Sequence, residues 1–168
     1  LYNSYDPVKF HESHRRALAR AGPLALAFDC NLATFGFPYD KELATPAGIA
    51  EWVSTTTSIG ESGSYLVELA RKGRFSCFDF PRKGFPPQLG EVVVTTRKPS
   101  KAKASAPSDI RSLLNSGRSV VLVFGLGPHG LPKEVFEAGQ RHLDVTGRGL
   151  SLETCTALGA VVGSILGR

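Results

Sequence analysis

The segment Ser119–Gly130, with the sequence SVVLVFGLGPHG, decides the fold of this chain. Five of its first six residues are apolar and three are valine, which is typical of a buried strand. Three glycines in the next six residues form a turn, and Pro132 marks the start of a helix just beyond it. A strand that continues through a turn into a helix is the repeating unit of α/β proteins, so this segment predicts that class.

The same alternation extends over the rest of the chain. We predict strands over 1–5, 31–37, 74–80, 91–96, 119–124 and 142–145. We predict helices over 7–30 with a kink or break at Gly22-Pro23, and over 45–53, 64–71, 109–116, 132–139 and 150–166. Residues 97–108 are expected to form an exposed loop. Because strands alternate with helices and no repeat is visible, we predict a single α/β domain over 1–168, with a mainly parallel sheet flanked by helices.

The composition is that of a folded globular protein. Of the 168 residues, 42% are hydrophobic and 21% are charged, which excludes a disordered tail, a collagen-like fibre and a coiled coil. The apolar stretches fall short of the roughly 18 residues of a membrane span, and no signal segment precedes them, so we expect no membrane association. Since the chain lacks methionine and begins at Leu1, we expect its natural start to lie upstream.

The cysteines and the charges indicate the compartment and the class of partner. Three cysteines without metal-ligand spacing are interpreted as buried free thiols of a reducing cytoplasm. The net charge is +5, and residues 85–168 hold ten basic but only six acidic side chains. The stretch 97–108 holds four basic residues and no acidic one. This excess favours a polyanion such as RNA, although a basic surface also serves solubility alone.

The turn Gly125–Gly130 has the spacing G-x-G-x-x-G, with Asp144 nineteen residues after Gly125. A dinucleotide-binding Rossmann fold is disfavoured, because that fingerprint belongs to the first strand–helix turn and only 38 residues follow Gly130 here. A second glycine turn, Thr146–Gly149, follows the next predicted strand. The two turns predict an adenine-sized slot lined by backbone groups, and a plain tight turn without a ligand is the alternative.

Two blocks of sequence resemble the C-terminal half of the SPOUT, or α/β-knot, methyltransferases. The first, FGLGPHGLP at 124–132, is similar to the F/L-G-x-x-x-G-L loop of that superfamily. The second, HLDVTGRGLSLETCTALGA at 142–160, resembles the strand, turn and Leu-x-x-Glu-Thr helix that follow it. The whole chain is similar to an archaeal family of the superfamily. The resemblance implies a C-terminal trefoil knot, with the cofactor-binding region over about 91–168.

The resemblance further implies that S-adenosylmethionine (SAM) binds in a bent conformation among three loops. Carried over residue by residue, the cofactor-binding positions are Thr95, Thr96, Phe124, Gly125, Gly127, Gly130, Leu131, Val145, Gly147, Leu150 and Leu152. The methyl group of a sulfonium is already activated, so the protein needs mainly to align an acceptor and exclude water. A base is required only where the acceptor must lose a proton.

Two residues are candidates for catalysis, and each has a structural alternative. Glu153 stands at the start of the last predicted helix, where it orients the acceptor or satisfies the helix N-terminus. Asn3 stands at the end of the first strand, where SPOUT enzymes place acceptor-side residues, or it is an ordinary polar strand end. Candidate substrate-binding residues, with a solvated surface as the alternative, are Arg15 on a basic helix face, Arg97 and Lys98 in the basic loop, and Ser62 in a hydroxyl-rich segment.

No metal site is expected, because His11 and His14 are spaced i, i+3, whereas the zinc motif H-E-x-x-H places its histidines at i, i+4. The last helix is uncharged from Thr154 to Gly167, so it must be buried on all sides. One side can meet the sheet and the other a second subunit. SPOUT proteins typically dimerise there, so we expect a homodimer through the C-terminal helix, with a monomer as the alternative.

The resemblance implies a SAM-dependent methyltransferase acting on structured RNA, either tRNA or rRNA. Two alternatives stay open at this point: a non-catalytic module that binds SAM or RNA, and a protein methyltransferase. A nuclease is disfavoured, because the D…E-x-K metal-carboxylate pattern of such enzymes is absent from the sequence.

Overall fold

The computed structural model describes residues 1–40, 42–43, 45–56 and 62–167, with Ser62 described by its backbone alone. Its elements are α1 (Glu12–Ala27), β1 (Leu32–Phe35), α2 (Pro46–Thr56), α3 (Ser62–Arg71), β2 (Phe75–Phe78), β3 (Glu91–Thr95), β4 (Ala104–Ser105), α4 (Pro107–Asn115), β5 (Val120–Val123), α5 (Lys133–Ala138), β6 (Arg141–Leu143) and α6 (Thr154–Leu166). They fall into two compact units, Leu1–Phe80 and Pro81–Arg168. Every strand pair in the described part of the chain is parallel, which confirms the predicted α/β class with parallel pairing. The single domain over 1–168 and the knot stay predictions.

The first unit is built around the parallel strands β1 and β2. They pair from Leu32 opposite Phe75 to Phe35 opposite Phe78, and the predicted first strand is reduced to a bridge between Tyr2 and Phe35. Helices α1 and α3 approach closely because Gly22 has no side chain. A Cβ atom at Gly22 would lie only 2.9 Å from the backbone nitrogen of Leu66.

Helix α1 differs from its prediction at both ends and in the middle. It begins at Glu12 rather than residue 7, because the Asp6 carboxylate accepts the N–H groups of Val8 and Lys9 in a turn that precedes the helix. Of the kink or break predicted at Gly22-Pro23, the break is wrong, since Pro23 lies inside the continuous helix, and the kink stays a prediction. Proline costs a helix one backbone hydrogen bond. Ala21 and Ala25, on either side of Pro23, are buried, and burial of apolar surface contributes stability that counters this loss.

The second unit contains a four-stranded parallel sheet in the order β4-β6-β3-β5. Strand β3 pairs with both β5 and β6, and its residues Val92–Val94 are buried. Residues 119–124 were predicted to form a buried strand, but β5 stands at one end of this order and Val120–Leu122 are only half-buried. A continuous apolar run does not distinguish a central strand from an outer one, which explains the difference.

Two further boundaries in the second unit differ from expectation. The loop predicted over 97–108 contains β4, whose two residues pair with β6. Helix α6 begins at Thr154 rather than residue 150, because the Glu153 carboxylate caps it by accepting the N–H groups of Cys155 and Thr156. At its other end, the guanidinium of Arg111 on α4 donates to the carbonyls of Ser164 and Ile165. Both ends of α6 are therefore satisfied by side chains.

Two expectations concern the chain as a whole. Within the described residues, no helix has the length and apolar character that crossing a membrane requires. Cys30, Cys77 and Cys155 are thiols outside any disulfide, as predicted, but they are half-buried rather than fully enclosed.

Candidate functional site

The second unit contains a cavity of about 890 Å³ at the carboxyl ends of β3, β5 and β6. Open α/β sheets place ligands at this edge, because the loops that follow parallel strands meet there. The residues that line the cavity are 94–98, 124–131, 136, 143–145, 150–154, 157 and 161. Three loops supply most of this surface, one after each of the three strands.

Thr95, the last residue of β3, and Thr96, the first residue of the loop after it, both have engaged hydroxyl groups. The hydroxyl of Thr95 donates to the carbonyl of Val123 on β5 at 2.9 Å, and the hydroxyl of Thr96 accepts the N–H of Lys98 at 3.1 Å. Arg97 and Lys98 follow with exposed side chains. The Thr95 hydroxyl thus joins β3 to β5 at the cavity. Arg97 and Lys98 place positive charge at the exposed edge of the cavity, called the rim below.

The glycine loop after β5 is closed by backbone bonds. Gly130 has a φ of 74°, which favours glycine, and its N–H donates to the carbonyl of Gly127 at 3.1 Å. An added Cβ at Gly130 would meet no atom within 4 Å, so the loop leaves open space beside it. The hydroxyl of Thr154 donates to the carbonyl of Gly125 at 2.9 Å, which ties the start of α6 to the loop.

The loop after β6 is organised by the carboxylate of Asp144. One oxygen accepts the N–H and the hydroxyl of Thr146, at 2.9 and 2.6 Å, and the other accepts the N–H of Gly149 at 2.8 Å. The hydroxyl of Thr146 in turn accepts the N–H groups of Arg148 and Leu150. Partial burial raises the pKa of Asp144, but these hydrogen bonds outweigh it and hold the pKa below its ordinary value.

Two leucines that line the cavity are unusually exposed to solvent. Leu150 and Leu152 have 59% and 37% of their surface exposed, although large apolar side chains are usually covered. Both line the cavity. Glu153 beside them is exposed and serves as the N-cap of α6, so the structural alternative for this candidate catalytic residue is present in the fold.

The structure brings together all but one of the predicted cofactor-binding positions. Gly147 is the exception: it lies in the Asp144 loop with a φ of 61°, outside the lining of the cavity. Arg97 and Lys98, predicted to bind substrate, also line the cavity. The lining residues that sequence reasoning missed include His129, Phe136 and Ser151. His129 could have been found, because it stands inside the glycine motif.

Asn3 lies in the first unit and is buried. Its amide nitrogen donates to the carbonyls of Asp6 and Gly36, and its amide oxygen accepts from the ring of His14 at 3.0 Å. The other ring nitrogen of His14 accepts the N–H of His11 at 3.0 Å. Asn3 is therefore fully engaged in holding the turn before α1, an arrangement that favours its structural alternative.

A carboxylate and an imidazole form a pair at the surface of this network. His11 and Asp6 are in contact at 2.7 Å, and hydrogen bonds from His11 and from the backbone of Val8 and Lys9 lower the pKa of Asp6 to about 2. Such a pair orients the ring and leaves its second nitrogen able to accept a proton.

Two predicted substrate-binding residues, Arg15 and Ser62, also belong to the first unit. Arg15 forms an ion pair with Glu12 at 2.7 Å and lies 5.0 Å from the ring of Trp52, so its guanidinium packs within the unit. The side chain of Ser62 lies outside the described residues. No group of three or more metal-ligating side chains occurs in the part of the chain that the structure describes.

Residues 1–166 match the family described as "Protein of unknown function (DUF531)", and the chain belongs to this family. It is also similar to "Uncharacterized protein MJ0224" of Methanocaldococcus jannaschii, with 45% identity over 161 residues that make up 96% of this chain and 88% of that protein.

Two solved structures share the fold. The "putative methylase family protein" of Neisseria gonorrhoeae has a TM-score of 0.59 and 19% identity, over 98% of this chain and 79% of that one. The "Probable Methyltransferase" of Bordetella pertussis Tohama I has a TM-score of 0.58 and 16% identity, over 98% and 91%. The α/β architecture described above is therefore one found in solved proteins.

Acidification is expected to destabilise the protein through His14. Burial, together with the charge of His11, lowers the pKa of His14 from 6.5 to about 4. The unfolded chain then binds one more proton than the folded chain between these values, so stability is complete above pH 6.5 and falls as the pH drops toward 4. The loss between pH 7 and pH 5 should be about 2 kcal/mol.

Denaturant unfolding at the two pH values measures this loss, and NMR should show the ring of His14 titrating near pH 4. The matched control is His14→Gln, which is less stable overall but has no imidazole at this position. Its stability should change less between pH 7 and pH 5 than that of the natural chain. Identical changes in the two proteins would contradict the assignment.

Proposed function

We propose that this protein is a SAM-dependent methyltransferase of the SPOUT, or α/β-knot, type that acts on structured RNA, tRNA or rRNA, in the cytoplasm. The observation that carries the proposal is the cavity at the ends of β3, β5 and β6, because the two resembling sequence blocks contribute two of its three loops. The names carried by the two solved structures of similar fold support the same class of reaction.

The residues around the cavity fit SAM. A volume of about 890 Å³ lies in the range of pockets for ligands of this size. Leu131, Leu150 and Leu152 offer apolar surfaces for an adenine ring, and the open space beside Gly130 lets backbone groups approach a ligand closely. The carboxylate of Asp144 on the lining suits the positive charges of the sulfonium and amino groups.

When bound, SAM supplies an activated methyl group on a sulfonium. The chain's own residues hold the site in place: Thr95 ties β3 to β5, and Thr154 ties α6 to the glycine loop. Leu150 and Leu152 exclude water from one side of the ligand. Glu153 caps α6 through Oε2, which leaves Oε1 to orient the acceptor. Alignment of the acceptor is the main source of rate in such a transfer.

An RNA acceptor is supported by the charge at the rim. Arg97 and Lys98 line the cavity with exposed side chains, and Lys101 is exposed three residues further on. Arg148 belongs to a neighbouring loop, because a Cβ at Gly149 would lie 3.3 Å from the carbonyl oxygen of Arg97. Four exposed cations near the cavity suit the phosphates of a nucleic acid, and exposed cations of this kind bind phosphate groups with little sequence preference.

A homodimer through α6 is part of the proposal. The helix is uncharged and buries Leu158, Val161 and Ile165 on one side. Its opposite side contains Ala160, which is exposed, and Gly159, where an added Cβ would meet no atom. An uncharged face of small residues permits close packing against a second copy of the same helix.

The central test is calorimetric titration with SAM. The natural chain should bind with a measurable Kd. Gly130→Val should abolish binding, because a β-branched residue is strained at a φ of 74°. Leu152→Arg should also abolish it by placing a charge on the apolar wall. Gly117→Val, also at a positive φ but on a turn away from the cavity, is the matched control for strain and should keep the Kd within about twofold of the natural chain.

No heat of binding at millimolar SAM would overturn the proposal. Binding without transfer of a labelled methyl group to RNA would favour the non-catalytic module. Transfer to ribonuclease-treated extract would favour a protein substrate.

Charge removal at the rim should weaken binding of unfractionated tRNA. We expect Arg97→Ala and Lys98→Ala each to reduce the slope of log Kd against log salt by about 1, because each removes one phosphate contact. Lys133→Ala is the matched control, since Lys133 is an exposed cation of the same unit that does not line the cavity. Equal slopes in all three variants would show that the loop is not part of the RNA-binding surface.

Association through α6 should be lost when a long cation is placed on its exposed face. Ala160→Arg is expected to shift the protein from dimer to monomer in sedimentation equilibrium, because two buried guanidinium groups would lack partners. Ala138→Arg makes the same change at an exposed position on α5 and should remain dimeric. A monomeric natural chain, or a dimeric Ala160→Arg variant, would contradict the proposed interface.

A further inference from the structure

His142 on β6 is a buried histidine, 1% exposed, with both ring nitrogens engaged by the backbone. Its Nδ1 accepts the N–H of Ser100 at 3.1 Å, and its Nε2 donates to the carbonyl of Phe136 at 2.9 Å. The rings of His142 and Phe136 are also in contact, with centroids 4.0 Å apart. The side chain therefore spans two segments that are 36 residues apart in sequence.

The two partners determine the protonation state of the ring. An amide N–H can only donate and a carbonyl oxygen can only accept, so Nδ1 must carry a lone pair and Nε2 a proton. The ring is thus neutral and in a single tautomer. A side chain of similar size without both functions would leave Ser100 N–H without its acceptor, or would leave the Phe136 carbonyl only the longer bond from Gly139 N–H at 3.3 Å. Either loss is costly for part-buried backbone groups.

The two partners belong to two different segments that contribute residues to the cavity lining. Ser100 lies in the basic loop, defined here as Arg97–Lys103, whose first two residues line the cavity. Phe136 lines the cavity itself and stands on α5, directly after the glycine loop. The backbone N–H of His142 donates to the carbonyl of Lys103 at 2.8 Å, so the loop is held at a second point.

The amino group of Lys103 reinforces the same connection. It donates to the carbonyls of Glu137 and Gly139, at 2.8 and 2.7 Å, at the end of α5. Of the four cations in the basic loop, Lys103 is therefore used internally, while Arg97, Lys98 and Lys101 stay exposed. The loop is a fixed segment that presents three cations.

We propose that His142 is a positioning residue, whose neutral ring fixes the basic loop to α5 and so holds two walls of the cavity in the geometry that binds ligand. The connection itself is independent of the identity of the ligand, and its effect on SAM rests on the proposed function. His142 touches neither cofactor nor acceptor in this proposal. It acts through Ser100 and Phe136.

Two substitutions separate the two hydrogen bonds. In His142→Asn the amide oxygen stands near the position of Nδ1 and can accept from Ser100, but nothing reaches Phe136. In His142→Gln the amide nitrogen stands near the position of Nε2 and can donate to Phe136, but the Ser100 bond is lost. His142→Leu removes both while filling the space.

Limited trypsin digestion of the native protein tests the connection without any ligand. Trypsin can cleave the basic loop after Arg97, Lys101 and Lys103, whereas Lys98 is followed by Pro99 and resists cleavage. We expect His142→Gln and His142→Leu to be cut there about tenfold faster than the natural chain, since one buried hydrogen bond has that order of effect on local opening. His142→Asn should stay within about twofold.

SAM titration of the same variants tests the consequence for the cavity. Each single-bond variant should raise the Kd about threefold to tenfold, and His142→Leu should raise it more than either. Ile110→Val is the control for general loss of stability, because Ile110 is buried on α4 in the same unit and does not line the cavity. It should leave both the cleavage rate and the Kd near those of the natural chain.

The outcomes are distinguishable. Equal cleavage rates in all His142 variants, or a His142→Leu variant that binds SAM as the natural chain does, would overturn the positioning role. A natural chain that does not bind SAM would overturn the proposed function, and trypsin digestion would still decide whether His142 fixes the basic loop. A His142→Leu variant that is cut throughout both units would be globally unfolded, and the comparison of His142→Asn with His142→Gln then decides.

Discussion

The parallel pairing of β3 with two neighbours is the constraint on which the cavity depends. Val94 lies opposite Val123 on one side, and Thr95 lies opposite Leu143 on the other. The three strands therefore end at the same edge, and each must release its chain into a loop there. A shift of one residue in either pairing would turn the side chains of one strand to the opposite face and separate the loops. The valines of β3 are buried on both faces and hold this register.

The sequence predicted the bounds of two strands of this sheet well, but not the strand order or β4. The strands over 91–96 and 119–124 were predicted to within one residue at each end, because continuous runs rich in β-branched residues have few other structures. Their order was not predictable, since apolar content alone does not tell a central strand from an outer one. The two-residue strand β4 was missed because Ala104 and Ser105 show no strand propensity and are ordered only by pairing with β6.

The candidate site also contains features that sequence could predict and features that it could not. Its glycine turns could be found from sequence, because glycine leaves a direct mark on backbone freedom. The residues that hold those turns could not. Asp144 was considered only as the acidic partner of a dinucleotide fingerprint, yet its carboxylate binds the backbone of its own loop. Asn3 is polar and follows a strand, as an acceptor-side residue would, but its amide is consumed by contacts with residues 6, 14 and 36. Polar side chains become distinguishable only when their partners are known.

The hydrogen bonds of the loop after β6 determine which of its positions can be substituted during evolution. Asp144 and Thr146 collect the N–H groups of residues 146, 148, 149 and 150, so the loop's shape rests on two side chains and two glycines. Arg148 and Leu150 contribute only their backbones to this scaffold. Other side chains at these two positions would leave the hydrogen bonds of the loop unchanged, because those bonds use only the backbone N–H groups. Drift at these two positions can therefore retune what the cavity accepts while the fold stays the same.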